Sequence, residues 1–211
     1  MKFKFIGNAA GIFIGSDGTK ILCDPWIVDG VFEDAWYHYP PLKTKLSDIK
    51  DVDGIYVSHI HPDHYDERSF DFPKNIPLII LNEGPNFLKK NLINKGYSNF
   101  IEIKDNETVE FKEFKLTLFK PFTKHIFEES IIGNLIDSAL VLENEGVTAI
   151  NFNDNQPDKD ACNFLKNRFK NIDLAMLNYN AAGPYPSCFD NLTTEEKISE
   201  NQRILKRNFD H

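Results

Sequence analysis

The chain has 211 residues, 41% of them hydrophobic and 27% charged, with a formal net charge of -8. That composition excludes a disordered chain, and the acidic balance argues against a nucleic-acid partner, which needs a basic face or stripe. No apolar stretch approaches the roughly 20 residues that cross a bilayer, and the opening MKFKFIGNAAG lacks a secretory leader, so the expectation is a cytoplasmic protein with no membrane span.

The amino terminus alternates at period two. KFKFIGN reads as one strand, and GIFIGSDGTKILCDP as two strands around a turn at Ser16, Asp17 and Gly18. An aromatic, proline-bearing loop follows, VFEDAWYHYPPLK, and then the β-rich run DGIYVSH, which ends at His59. PLIILN is the next strand, and NFLKKNLINKG a short helix stopped by Gly96.

NFIEI, ETVEFKEF and KLTLFKP supply three more strands. A loop holding His125 leads into SALVLENEGVTAINFND, a hairpin turning at Asn144, Glu145 and Gly146 whose second strand ends at Asp154. DKDACNFLKNRF has a helical pattern, IDLAMLNY is an apolar strand, and TTEEKISENQRILKRN opens with Thr193 and Glu196 spaced as a capping box. Strands dominate the first half and alternate with helices in the second. The order suits stacked sheets flanked by helices in an α/β fold, not a doubly wound parallel sheet. With no short-period repeat and no dividing linker, residues 1–211 read as a single domain. The three cysteines, Cys23, Cys162 and Cys188, are widely spaced and odd in number, which points to reduced thiols and away from a disulfide framework.

Chemistry concentrates in SHIHPDHYD, residues 58–66, which holds half of the six histidines. In an extended segment residues two apart share a side, so His59 and His61 can face one point. Asp63 and His64 follow Pro62, where the chain bends, and can face a second point beside it. Imidazole nitrogen and carboxylate oxygen are ligands for a divalent ion, with zinc first and manganese or iron as alternatives. Two later strand–loop junctions offer further ligands, His125 in PFTKHIF and Asp154 in NFNDN. Trp26 follows a strand that ends on the same rim and can wall a pocket, while Tyr179 and Tyr185, in the turn-rich stretch YNAAGPYPSCF, can donate hydrogen bonds to a small-molecule substrate. His38, in WYHYPP, has no spacing that ties it to a metal.

The pattern H-x-H-x-D-H resembles the signature of the metallo-β-lactamase superfamily. That resemblance implies a four-layer αβ/βα sandwich of two mixed sheets and one or two divalent ions: His59, His61 and His125 on the first, Asp63 and His64 on the second, Asp154 bridging. GNAAGIFIGSDGTKILCDPW is similar to the branch holding the L-ascorbate-6-phosphate lactonases and N-acyl-phosphatidylethanolamine phospholipase D. DSALVLENEGVTAINFNDNQP and LAMLNYNAAGPYPSCF are similar to the lactamase-like domain of CMP-N-acetylneuraminate hydroxylase, although the paired Cys and His ligands of that enzyme's Rieske centre have no counterpart here. Two departures stand out. The usual Gly-Asp at the bridging position is Asn153-Asp154, and the superfamily's last metal histidine sits on a strand after the final helix, where this chain stops at NFDH. Either the second site lacks that ligand or the chain is a fragment lacking the last strand, unless His211 serves.

The expected function is therefore a metal-dependent hydrolase that turns a shared, ionised water on an ester, lactone or phosphodiester, including those of sugar derivatives and sugar nucleotides. Asp154 would bridge and orient, and Asp63 would accept a proton where only the first site is filled. The alternatives are a non-catalytic binding module with a degenerate metal site, and a component of an oxygenase served by a separate Rieske partner.

Overall fold

A computed structural model describes residues 1–122, 137–178 and 190–209. Strands β1 (Lys2–Gly7), β2 (Ala10–Ile14), β3 (Lys20–Cys23), β4 (Gly54–Tyr56), β5 (Leu78–Leu81) and β6 (Phe100–Ile103) form one sheet in sequence order. Its first three strands are antiparallel, and β3 through β6 run parallel. The second sheet has the order β11-β10-β9-β8-β7, built from β7 (Thr108–Phe111), β8 (Phe114–Phe119), β9 (Ala139–Asn144), β10 (Val147–Asn151) and β11 (Leu174–Met176). It is antiparallel except for the parallel pair β10/β11.

Alternation along the strands produces the layers. Ile21, Cys23, Tyr56 and Ile79 point from the first sheet onto Phe114, Leu116, Leu118, Leu140 and Leu142 of the second, forming the inter-sheet core. Their neighbours Leu22, Ile55, Leu78 and Ile80 face outward onto Leu88 and Leu92 of α1 (Phe87–Asn94) and onto Tyr65, Phe70 and Tyr97. On the far side Val141, Ile150 and Phe152 pack against Leu165 and Phe169 of α2 (Lys159–Phe169). Each such fully buried side chain contributes roughly 1.5–3 kcal/mol of transfer free energy. These are two mixed sheets flanked by helices, as the order of elements predicts.

Local chemistry fixes the ends. Asn86 and Asp158 cap α1 and α2 by accepting from Lys89 N and Ala161 N, each at 2.8 Å. The predicted capping box of α3 (Thr194–Phe209) is present: Glu196 N donates to Thr193 Oγ1 at 3.3 Å, and Thr193 N to Glu196 Oε2 at 2.8 Å. The β9–β10 turn has positive φ at Glu145 and Gly146, the pairing a two-residue hairpin of matching twist requires. No helix among the described residues is long and apolar enough to cross a membrane.

The two sheets are clasped at the end away from the histidines. Glu113, in the turn between β7 and β8, accepts from Ser16 N at 3.0 Å, Ser16 Oγ at 2.6 Å, Asp17 N at 3.0 Å and Asn144 Nδ2 at 2.9 Å. A side chain at Gly15 would collide with this carboxylate. Partial burial raises the Glu113 carboxyl, but the donors outweigh it and bring its pKa down to about 2. The stability this carboxylate contributes is thus complete above its ordinary range and is lost as pH falls toward about 2. Thermal melts of wild type and Glu113→Gln from pH 7 downward should differ most near neutrality and converge in acid; a gap that widens as pH drops contradicts the clasp.

Candidate metal centre

One edge of the two sheets carries the site. The parallel strands β3 and β4 deliver Asp24 and Ser58-His59 at their carboxyl ends, β10 and β11 deliver Asp154 and Asn178, and β9, running the other way, delivers Asp137 and Ser138 at its start. Ligands in open α/β sheets collect at such an edge because loops there are free to vary while the strands hold their roots.

Five predicted residues converge. His59 Nε2 lies 2.8 Å from His61 Nδ1 and 3.8 Å from Asp154 Oδ2. His64 Nε2 lies 3.4 Å from the same Asp154 oxygen and 3.6 Å from Asp63 Oδ2. The His59 and His64 rings are 4.1 Å apart, and ligand atoms of His59, His64 and Asp154 all fall within 4.8 Å of one another. His59/His61 and Asp63/His64, expected at two neighbouring points, thus form one continuous donor cluster with Asp154 reaching both. His125, Tyr179, Tyr185 and His211 lie outside the described residues.

A buried frame aims the imidazoles. Asp24, wholly buried, accepts from Ser58 N at 2.7 Å and Ser58 Oγ at 2.8 Å, and its Oδ2 is 3.2 Å from His64 Nδ1. On the other side His59 Nδ1 is 2.9 Å from both Ser58 Oγ and Asp137 Oδ1. These partners assign the Nδ1 protons of His59 and His64 to the frame and turn both Nε2 atoms toward the cluster. Tyr56 stiffens the rim from the inter-sheet core, donating to Ser138 O at 2.7 Å. The departure at Asn153 has a local explanation: its φ is 52°, a conformation that asparagine tolerates nearly as glycine does, and its Nδ2 donates to Ser138 O at 3.3 Å.

Electrostatics separate the two buried histidines. Burial, reinforced by His64 and His61, pushes the His59 pKa well below its usual value, so the ring is neutral and its Nε2 lone pair available. Burial also opposes charge on His64, but hydrogen bonds to Asp154 and Asp24 outweigh it and hold its pKa well above the usual range. For Asp154, burial raises the carboxyl, while His64, His59 and a 2.8 Å hydrogen bond from Asn178 Nδ2 bring it far below the carboxylate range. Burial and the adjacent Asp24 push the Cys23 thiol up, which keeps it from acting as a thiolate ligand.

The donor set fits a divalent ion. Two ligands at ordinary zinc distances in tetrahedral arrangement stand about 3.3 Å apart, close to the 3.4–3.8 Å separations around Asp154 Oδ2. All donors are nitrogen or carboxylate oxygen, which suit zinc, manganese and iron alike.

Trp26 is buried, its Nε1 donating to Val28 O at 2.7 Å and its ring 4.3 Å from that of His38. His38 is anchored by Asp29 Oδ1 at 2.7 Å from its Nδ1 and takes no part in the cluster. The sequence singles out Trp26 at this rim and gives no site role to its neighbour Asp24 or to Ser58, Asp137 and Asn178. Asn178 has the same signal as Asp154, a polar residue just past a strand end; Asp137 needed the antiparallel direction of β9.

Comparison with known proteins yields a fold. No family model matches the chain. A Mycolicibacterium smegmatis protein provisionally named a Rieske 2Fe-2S iron-sulfur protein is 33% identical over 98% of this chain but only 40% of its own length. A Mycobacterium tuberculosis protein of the same description is 30% identical over 90% of this chain and 36% of its own. The chain thus spans about 40% or less of the length of these curated relatives. Among solved structures, an isothiocyanate hydrolase from Delia radicum gut bacteria matches at TM-score 0.67 and 21% identity, over 86% of this chain and 74% of that one. CmlA, a diiron β-hydroxylase from Streptomyces venezuelae, matches at TM-score 0.61 and 14% identity, over 99% of this chain and 42% of that one. The metallo-β-lactamase fold protein YhfI from Bacillus subtilis matches at TM-score 0.55 and 14% identity, over 86% of this chain and 73% of that one. With two mixed sheets, flanking helices and the histidine edge in place, the chain has the metallo-β-lactamase fold.

Proposed function

We propose that this chain is the metal-binding catalytic unit of a metal-dependent hydrolase, acting on an ester, lactone or phosphodiester. The observation that carries the reading is the convergence of His59, His61, Asp63, His64 and Asp154 on one small volume. His59, His61 and His125 would hold one ion and Asp63 and His64 a second, with Asp154 between them. A divalent ion there supplies a water of lowered pKa and polarises the carbonyl or phosphoryl oxygen. The chain's own residues do the rest. Asp154 remains a carboxylate at any physiological pH, and Asn178 fixes its rotamer. Where only the first site is filled, Asp63, partly exposed beside His64, would accept the proton of the attacking water. Asp24 at His64 and Ser58 Oγ at His59 hold the imidazoles in one tautomer.

A specific observation favours a second reading. Nearly the whole chain aligns with part of proteins named for a Rieske centre, and its fold matches a diiron β-hydroxylase. In that reading the cluster holds iron and the chain works within an oxygenase. Elemental analysis of freshly purified protein, with assays on lactones, phosphodiesters and phosphorylated sugars, separates the two. The hydrolase predicts at least one equivalent of zinc, manganese or iron and turnover without oxygen; less than one equivalent, with no thermal stabilisation on adding metal, overturns both readings. Metal binding must also displace the His64 proton. Apparent affinity should therefore climb up to about tenfold per pH unit across the range where His64 is protonated in the free protein, and a flat profile from pH 6 upward contradicts that coupling.

A further inference from the structure

A cavity adjoins the histidine edge at Asn178. It has a volume of about 230 Å³ and lies between α2 and the end of the second sheet. Its walls are apolar, from Ile150, Phe152, Leu165, Ile172 and Leu177. Asn178 belongs to both places: it lines the cavity, and its Nδ2 donates to Asp154 Oδ1 at 2.8 Å. One residue therefore links the apolar space to a predicted metal ligand.

We propose that this cavity binds a short, uncharged alkyl or aryl portion of a substrate whose reacting group lies over Asp154, a narrowing of substrate class that rests on the hydrolase reading. Size supports a small molecule over a peptide, because about 230 Å³ falls below the roughly 300–1,000 Å³ of drug-sized sites. The apolar lining would leave a charged chain without a partner, so esters with a medium apolar chain fit the cavity and sugar nucleotides do not.

Cys162 lines the cavity and is partly accessible, whereas Cys23 is buried, so alkylation of Cys162 reports occupancy without any catalysis. The full chain is treated with iodoacetamide in a series of 1-alkanols from butanol to octanol, and Cys162 is followed by peptide mapping. Octanol should slow its modification several-fold. The protecting affinity should rise up to about fourfold per added methylene, the value for full burial of a CH₂. Ala175 also lines the cavity but is exposed, so Ala175→Phe can fill the space without disturbing the core and should abolish protection. His61→Ala should leave protection intact, which keeps this test independent of the metal. Protection that ignores chain length, that survives Ala175→Phe, or that follows protein concentration in place of alcohol overturns the proposal. If the alcohols protect but the metal-loaded protein hydrolyses none of the p-nitrophenyl esters from acetate to octanoate, the cavity stands and the hydrolase reading falls.

Discussion

His61→Ala should lose about one equivalent of bound metal and nearly all turnover, while Asp63→Ala should keep the first ion and lose most of the rate. The two differ because of where their atoms lie. His61 Nδ1 is 2.8 Å from His59 Nε2, so in the proposed site these nitrogens would serve one ion together, and without His61 the first site keeps His59 and whatever His125 supplies. Asp63 approaches the cluster from the His64 side, 3.6 Å from Nε2, and no close approach brings it to His59. Its loss leaves the imidazoles in place and removes a proton acceptor. An ion contributes several kcal/mol to stabilising developing charge, so the His61 variant should fall on the order of a thousandfold or more in kcat/KM. A lost general base costs roughly a hundredfold to ten-thousandfold. Metal content and kcat/KM measured on the same preparations decide it: wild-type metal content in His61→Ala refutes the assignment outright.

The fold and the histidine cluster were legible because both rest on local rules. Period two marks the strands, and Thr193 with Glu196 announces the start of α3 before any packing is considered. Likewise His59, His61, Asp63 and His64 lie within six residues, so a single bend at Pro62 brings them together. The frame behind them was not legible. Asp24 and Ser58 are 34 positions apart and meet only because β3 and β4 pair in parallel register, Cys23 opposite Tyr56. Asp137 reaches His59 across the gap between the sheets, a contact that depends on how the two sheets stack. Tyr56 and Ser138 bond across the same gap, 82 positions apart in sequence. Trp26 shows the converse limit: a residue that follows a strand end uses its indole N–H on its own loop, and nothing in a sequence period reveals which way a ring turns.

Asp24→Asn should cost metal affinity with a modest loss of stability, and Asp24→Ala should cost both heavily. The carboxylate is completely buried and has three partners, Ser58 N, Ser58 Oγ and His64 Nδ1. Alanine leaves the buried Ser58 N–H without an acceptor and leaves Ser58 Oγ, 3.2 Å from His64 Nδ1, as the remaining partner of that ring nitrogen, at about 1–3 kcal/mol for each group left unsatisfied. A drop of several kcal/mol is a large share of the 5–15 kcal/mol that typically holds a domain folded, so the melting temperature should fall steeply. Asparagine keeps the shape and can still accept from Ser58 N through its Oδ1. Its amide then faces Ser58 Oγ and His64 Nδ1 with a donor, which sets N–H against N–H and favours the tautomer with the proton on Nε2, the atom that must carry a lone pair toward the cluster. Loss of such an orienting partner typically lowers metal affinity 10- to 100-fold. Ser58→Ala separates the two effects, since it removes the hydroxyl bridge between Asp24 and His59 Nδ1 but leaves Asp24 facing His64. Titration of the three metal-free variants with zinc, alongside thermal melts, should therefore rank affinity as wild type, Ser58→Ala, Asp24→Asn. Equal affinity in Asp24→Asn and wild type would show that His64 takes its orientation from the cluster itself and not from the strand end behind it.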